Sequence, residues 1–153
     1  MKIASLLTPE LTLWGLEGSS KKKTLELIAE FIASKTPGID PDDLFRSLIQ
    51  REKLGSTGLG HGIAIPHSRF KQCSDTIGAL IKLTEPVDFN SIDNQPVDLL
   101  FVMIVPEQSN DSHLEALSAL AEKFMEDSYR KALRTTENAK QLFEVATAEA
   151  VLK

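Results

Sequence analysis

The 153-residue sequence predicts an α/β domain in which a small mixed β-sheet is flanked by helices. Three observations carry that prediction. Residues 98–105 (DLLFVMIV) form an unbroken apolar run between Pro96 and Pro106, the pattern of a central strand covered on both faces. Residues 76–83 (TIGALIKL) alternate, with Ile77, Ala79, Ile81 and Leu83 on one face. The segments before and after these strands carry the period and the capping residues of helices instead.

Taken in order, Thr12, Leu13 and Trp14 mark an early strand. Residues 19–35 place Leu25, Ile28, Ala29 and Ile32 at helical spacing and end before the breakers Pro37 and Gly38. A second helix has Asp40 as N-cap, Pro41 at its first position and Asp42 and Asp43 in its first turn. Its apolar pairs, Leu44 with Phe45 and Leu48 with Ile49, lie one turn apart, and it should end near Lys53. Residues 63–65 read as a short strand stopped by Pro66, followed by the strands at 76–83 and 98–105. A third helix opens at Asp111 or Ser112, where Ser112-His113-Leu114-Glu115 fits a capping box and Leu114, Leu117, Ala121 and Phe124 share a face. Residues 136–145 give a weaker final helix using Ala139, Leu142, Phe143 and Ala146. The order lacks the regular alternation of a doubly wound fold. With no internal repeat or low-complexity linker, one domain is expected over 1–153.

Composition narrows the function. A hydrophobic fraction of 42% and a charged fraction of 25% are ordinary for a globular protein. A formal net charge of -5 argues against a nucleic-acid-binding protein, and the cluster Lys21-Lys22-Lys23 reads as a solvated helix face. The single cysteine, Cys73, has no partner for an internal disulfide. Pro9 and Glu10 interrupt the N-terminal apolar residues before a signal-peptide core forms, and no run reaches membrane-spanning length. A cytoplasmic protein without stable membrane insertion is expected.

The chemistry concentrates in residues 55–69, GSTGLGHGIAIPHSR. Gly55 and Gly60 have P-loop spacing, but His61 and Gly62 stand where that motif needs Lys and Ser or Thr, and a helix precedes the loop where a strand should. Gly58, Gly60 and Gly62 are evenly spaced and open no helix, so a dinucleotide fingerprint also fails. Two readings stay open for the loop: a glycine-rich turn, or an anion-binding segment in which Gly55, Ser56, Thr57, Gly58 and Gly60 offer main-chain N–H and hydroxyl groups. His67 follows Pro66 at the end of the short strand, and a neutral imidazole is a competent nucleophile toward phosphorus near neutral pH. His113 opens a capped helix, where free N–H groups favour an anion. No histidine pair has zinc-ligand spacing, and no Gly-x-Ser-x-Gly elbow is present.

The run from Arg51 to His67, REKLGSTGLGHGIAIPH, closely resembles the active-site segment of the IIA proteins of the fructose/mannitol class in the bacterial phosphotransferase system. Residues 89–106 (FNSIDNQPVDLLFVMIVP) and 112–124 (SHLEALSALAEKF) agree, so the resemblance spans nearly the whole chain and extends to the fold of that class. The resemblance implies that His67 accepts a phosphoryl group on Nε2 from the phosphohistidine of a small HPr- or NPr-like carrier. It further implies that His113 supports the phosphoryl group and that Arg51 pairs with its oxygens. No cofactor and no metal are implied, because the donor is already a phosphohistidine. Two positions depart from the pattern. Ser68-Arg69 stands where Gly and a basic residue are expected, and His61 where Asn or a similar polar residue is expected. Arg69 and His61 are therefore accessory candidates.

Within that class the sequence is most similar to the nitrogen-regulatory branch, and IDNQPVDLLF favours it. The implied function is a phosphorylation-dependent regulator of other proteins, such as potassium-transport or sensor-kinase components. A sugar-transport IIA component passing phosphate to a IIB domain is the first alternative, and a non-catalytic binding module the second.

Overall fold

The computed structural model describes residues 3–108 and 112–148. After a short 3-10 turn at Ile3–Ser5, the order is β1 (Leu7–Leu16), α1 (Lys21–Lys35), α2 (Pro41–Leu54), β2 (Gly58–Gly60), β3 (Ile63–Ala64) and β4 (His67–Phe70). It continues with β5 (Ile77–Val87), β6 (Val97–Pro106), α3 (Ser112–Phe124), α4 (Asp127–Arg134) and α5 (Ala139–Thr147). The strands form one mixed six-stranded sheet in the order β1-β5-β6-β3-β2, with β4 also on β6. The expected α/β architecture with a small mixed sheet is the one observed.

β6 is central because its sequence leaves it no alternative: nearly every side chain is apolar, so both faces must be covered. Leu100, Val102 and Ile104 join Ile81 and Leu83 of β5 and Leu25, Ile28, Leu44 and Leu48 of α1 and α2 in one core. Leu99, Phe101, Met103 and Val105 join Leu120, Phe124, Leu133 and Leu142 of the C-terminal helices in the other. The alternation expected for residues 76–83 is also found, with Ala79, Ile81 and Leu83 on the α1–α2 side and Leu80 on the opposite side.

The helix starts follow their caps. Ser20 accepts from the Lys23 N–H at the head of α1, and Asp40 accepts from the Asp43 N–H before Pro41 opens α2. Asn138 caps α5 through the Gln141 N–H. The capping box expected at Ser112 depends on side chains outside the described residues.

Three features differ from the sequence reading. β1 is a ten-residue strand, parallel to β5, rather than a short segment at Thr12–Trp14. α4 is an additional helix; only Tyr129, Arg130 and Leu133 of it are buried, too few to leave a visible apolar stripe. Pro66 does not end pairing along the edge of β6. β3 lies parallel to Leu99 and Leu100, the strand is interrupted at Ile65-Pro66 without a change of register, and β4 resumes beside Met103 to Pro106. Pro66 lacks an N–H but keeps its carbonyl, which accepts the Met103 N–H at 2.9 Å. His67 therefore opens a strand.

Candidate functional site

The Ile65-Pro66 step between β3 and β4 places His67. The Ile65 carbonyl lies 2.7 Å from Nδ1 of His67. A carbonyl oxygen only accepts, so Nδ1 carries the proton and Nε2 presents a lone pair. Arg51, in the last turn of α2, donates its Nε–H toward that Nε2 at 3.3 Å. Its Nη1 donates to the Gly55 carbonyl at 2.9 Å, which fixes the arginine against the start of the glycine loop. Both His67 and Arg51 are half-buried.

Two clefts meet at this pair. One, of about 550 Å³, runs under α2 and has Arg51, Arg69, Ser47 and Ser68 at its polar edge and Met103 and Val105 in its apolar floor. The other, of about 330 Å³, lies between the glycine loop and α3, with Ser56, Thr57, Leu117 and Ser118 in its wall. Arg51 and His67 line both. Leu54 and Leu114, exposed apolar side chains, stand at the two cleft rims. Ser68 fits where a glycine was expected because its hydroxyl is 3.0 Å from Ser47 of α2. The Arg69 carbonyl accepts from the same Ser47 hydroxyl at 3.3 Å.

The glycine loop divides into two parts. Ser56 and Thr57 face the second cleft, beside His67. Gly58 and Gly60 belong to β2, which pairs antiparallel with β3. His61 sits in the β2–β3 turn with φ 58°, a left-handed conformation between the positive-φ Gly60 and Gly62. Its N–H donates to Asp93 at 2.9 Å, and its carbonyl accepts from Arg134, which also holds Asp98. The N–H groups of His61 and Gln95 hold the Asp93 carboxyl below the usual carboxylate range. Register puts Ile63 beside Leu99 and His67 beside Met103, so the His61 turn and the His67 site lie toward opposite ends of β6, about 13 Å apart along the strand. The structure does not bring His61 to His67. His113 lies in the first turn of α3, the helix that borders the second cleft; its side chain is outside the described residues.

Sequence reading missed Glu52. It looks like a solvated charge near a helix end, yet it is buried and receives the Thr57 N–H and hydroxyl as well as Lys21. Its only local signal is a Thr five residues on. Lys21 comes from another helix and leaves no trace in the local sequence.

Geometry of this kind, on this fold, defines a known class. Residues 5–148 match the family model described as phosphoenolpyruvate-dependent sugar phosphotransferase system, EIIA 2, and the chain belongs to that family. Within it, the chain groups with the nitrogen regulatory proteins. It is 43% identical over 145 residues to the nitrogen regulatory protein of Pseudomonas aeruginosa, covering 95% of this chain and 94% of that one. It is 37% identical over 150 residues to the nitrogen regulatory protein of Escherichia coli K12, covering 96% and 90%. The crystal structure of nitrogen regulatory protein IIA-Ntr from Neisseria meningitidis superposes with a TM-score of 0.87 at 39% identity, covering 95% of this chain and 99% of that one. The resemblance carried by residues 51–67 thus holds over residues 5–148. Among the described residues, no helix is long and apolar enough to cross a membrane.

Proposed function

We propose that this protein accepts a phosphoryl group on Nε2 of His67 from the phosphohistidine of a small HPr- or NPr-like carrier, and that the phosphorylated and free forms bind partner proteins differently. The observation that carries this reading is the 2.7 Å contact of His67 Nδ1 with the Ile65 carbonyl: it commits the ring proton to Nδ1, leaving Nε2, which faces Arg51 in an open cleft, as the nucleophilic atom. The Nε2 lone pair forms the new N–P bond while the electron pair of the breaking N–P bond returns to the carrier's imidazole. The protein supplies alignment and charge, which is most of what phosphoryl transfer requires. Arg51 contacts the equatorial oxygens, Ser56 and Thr57 border the cleft they enter, and His113 supports the phosphoryl group from the start of α3.

The regulatory half of the proposal rests on kinship with the nitrogen regulatory proteins. Phosphorylation adds about 1.5 to 2 negative charges between two exposed leucines and two arginines. A partner docking through acidic groups is then repelled, and one presenting arginines gains contacts. Potassium-transport and sensor-kinase components are the target classes to examine.

Incubation with enzyme I, the carrier and phosphoenolpyruvate, followed by intact-mass analysis, tests the reaction. The expected gain is one acid-labile phosphate, lost in His67→Ala. Labelling that persists in His67→Ala would refute the assignment, and efficient transfer onward to a sugar-specific IIB domain would refute the regulatory reading.

A further inference from the structure

Resting on that reading of His67, we propose that Glu52 and Thr57 are positioning residues that set the tautomer and the aim of the nucleophile without touching the reacting atoms. Glu52 follows Arg51 in the last turn of α2 and is 7% exposed. A buried carboxylate is costly unless its oxygens are fully used, and these are. Oε2 accepts the Thr57 N–H at 2.9 Å and Lys21 Nζ at 3.0 Å, and Oε1 accepts the Thr57 hydroxyl at 2.7 Å. Thr57, 5% exposed, is thereby fixed by both its main chain and its side chain in a segment otherwise rich in glycine.

The hydrogen bonds continue past Thr57. Its carbonyl accepts the Ile65 N–H at 3.0 Å, and the Ile65 carbonyl accepts Nδ1–H of His67 at 2.7 Å. A series of hydrogen bonds, joined by the backbone of Thr57 and of Ile65, therefore links Lys21 on α1 and Glu52 to the imidazole. The last link matters chemically. A free histidine side chain favours the proton on Nε2, the atom that must attack here. The Ile65 carbonyl reverses that preference together with the Arg51 Nε–H that faces Nε2, and the carbonyl's orientation depends on Ile65, whose N–H Thr57 holds. As Nε2 attacks, positive charge develops on the ring, and the same carbonyl stabilises it at Nδ1–H. An acceptor behind a nucleophilic or basic histidine acts in this way in other enzymes.

Two-bond nitrogen–proton NMR spectra of ¹⁵N-histidine-labelled protein report the tautomer directly. Wild-type His67 should be in the Nδ1–H form when neutral. In Glu52→Gln the Nε2–H form should appear, and the rate constant for phosphoryl uptake should fall about 10- to 100-fold, the range seen on losing an outer-shell partner. The carrier concentration giving half-maximal rate should not change. Thr57→Val should shift the tautomer in the same direction, and Thr57→Ser, which keeps both donors, should restore wild-type behaviour. A folded Glu52→Gln that retains the Nδ1–H form, or a rate loss confined to carrier affinity, overturns the inference. Should Glu52→Gln fail to fold, the contrast between Thr57→Val and Thr57→Ser decides it alone. Absence of phosphate uptake by the wild type would defeat the proposed function, while the tautomer comparison still decides this inference.

Discussion

The Nε–H of Arg51 is directed at Nε2 of His67 across 3.3 Å, so the cation sits on the lone pair of the nucleophile. An incoming phosphoryl group must displace that contact, and the guanidinium then faces the equatorial oxygens from a short distance. The planar fork of arginine suits this exchange, because one N–H can release nitrogen while another takes oxygen.

Arg51→Lys should therefore slow phosphoryl uptake by about 10²- to 10³-fold, the cost of losing a donor preorganised for the transition state. The half-buried position leaves the fold intact. Rapid-quench measurements with labelled carrier check the rate, and thermal unfolding checks the fold. A lysine variant as fast as wild type would mean that position 51 contributes only a point charge.

Much of this arrangement is legible in the sequence, and the parts that are not share a cause. α1 and α2 are announced by Ser20, Asp40 and Pro41, and β6 by its apolar run, because caps and burial act over a few residues. His67 stands out because it follows Ile65-Pro66 in a recognisable segment. α4 is hidden because Arg130 occupies a core-facing position: its Nη1 donates to the Phe124 carbonyl at 3.0 Å, so a charged residue is buried where a stripe would show an apolar one. Glu52 is hidden because Lys21, the partner that neutralises it, comes from a different helix. The Pro66 boundary misleads because proline removes a donor and leaves the acceptor that β6 uses.

His61 tests whether position in the sequence implies position in the site. Its left-handed backbone at φ 58° suits asparagine better than histidine, and its contacts with Asp93 and Arg134 are made by the main chain. His61→Asn should leave phosphoryl uptake unchanged and hold or slightly raise stability, by up to about 0.5 kcal/mol. Denaturant unfolding and the mass assay check both halves. A marked loss of uptake would bring this turn into the site after all.

Tyr129 gives a pH-dependent prediction. Its hydroxyl donates to the Ala146 carbonyl at 2.8 Å, tying α4 to α5, and burial, helped by Glu126, pushes the phenol well above its ordinary value. A group whose folded pKa is raised contributes stability that is complete below the unfolded value, near 10, and declines as pH rises from there. Tyr129→Phe should lose about 1 kcal/mol at pH 7 from the missing hydrogen bond, yet show a shallower decline above about pH 10. Urea unfolding across that range measures both.

The floor of the glycine loop supplies the last prediction. Ser91 is 4% exposed, and its hydroxyl has no hydrogen-bond partner among the described residues. A side chain at Gly58 would run into that hydroxyl and meet Ser91 Cβ at 2.9 Å and Cα at 3.1 Å. Ser91→Ala removes an unsatisfied buried group and should stabilise the protein by about 1 kcal/mol. Gly58→Ala should cost about 1 to 3 kcal/mol through overpacking. In Gly58→Ala combined with Ser91→Gly, both offending Ser91 side-chain atoms are gone, so the double variant should lose less than the two single losses added together. A coupling of at least about 0.5 kcal/mol in denaturant unfolding identifies direct contact. Strict additivity would mean that Gly58 is needed for its backbone instead, because the remaining contact with the Ser91 main chain is the same in both backgrounds.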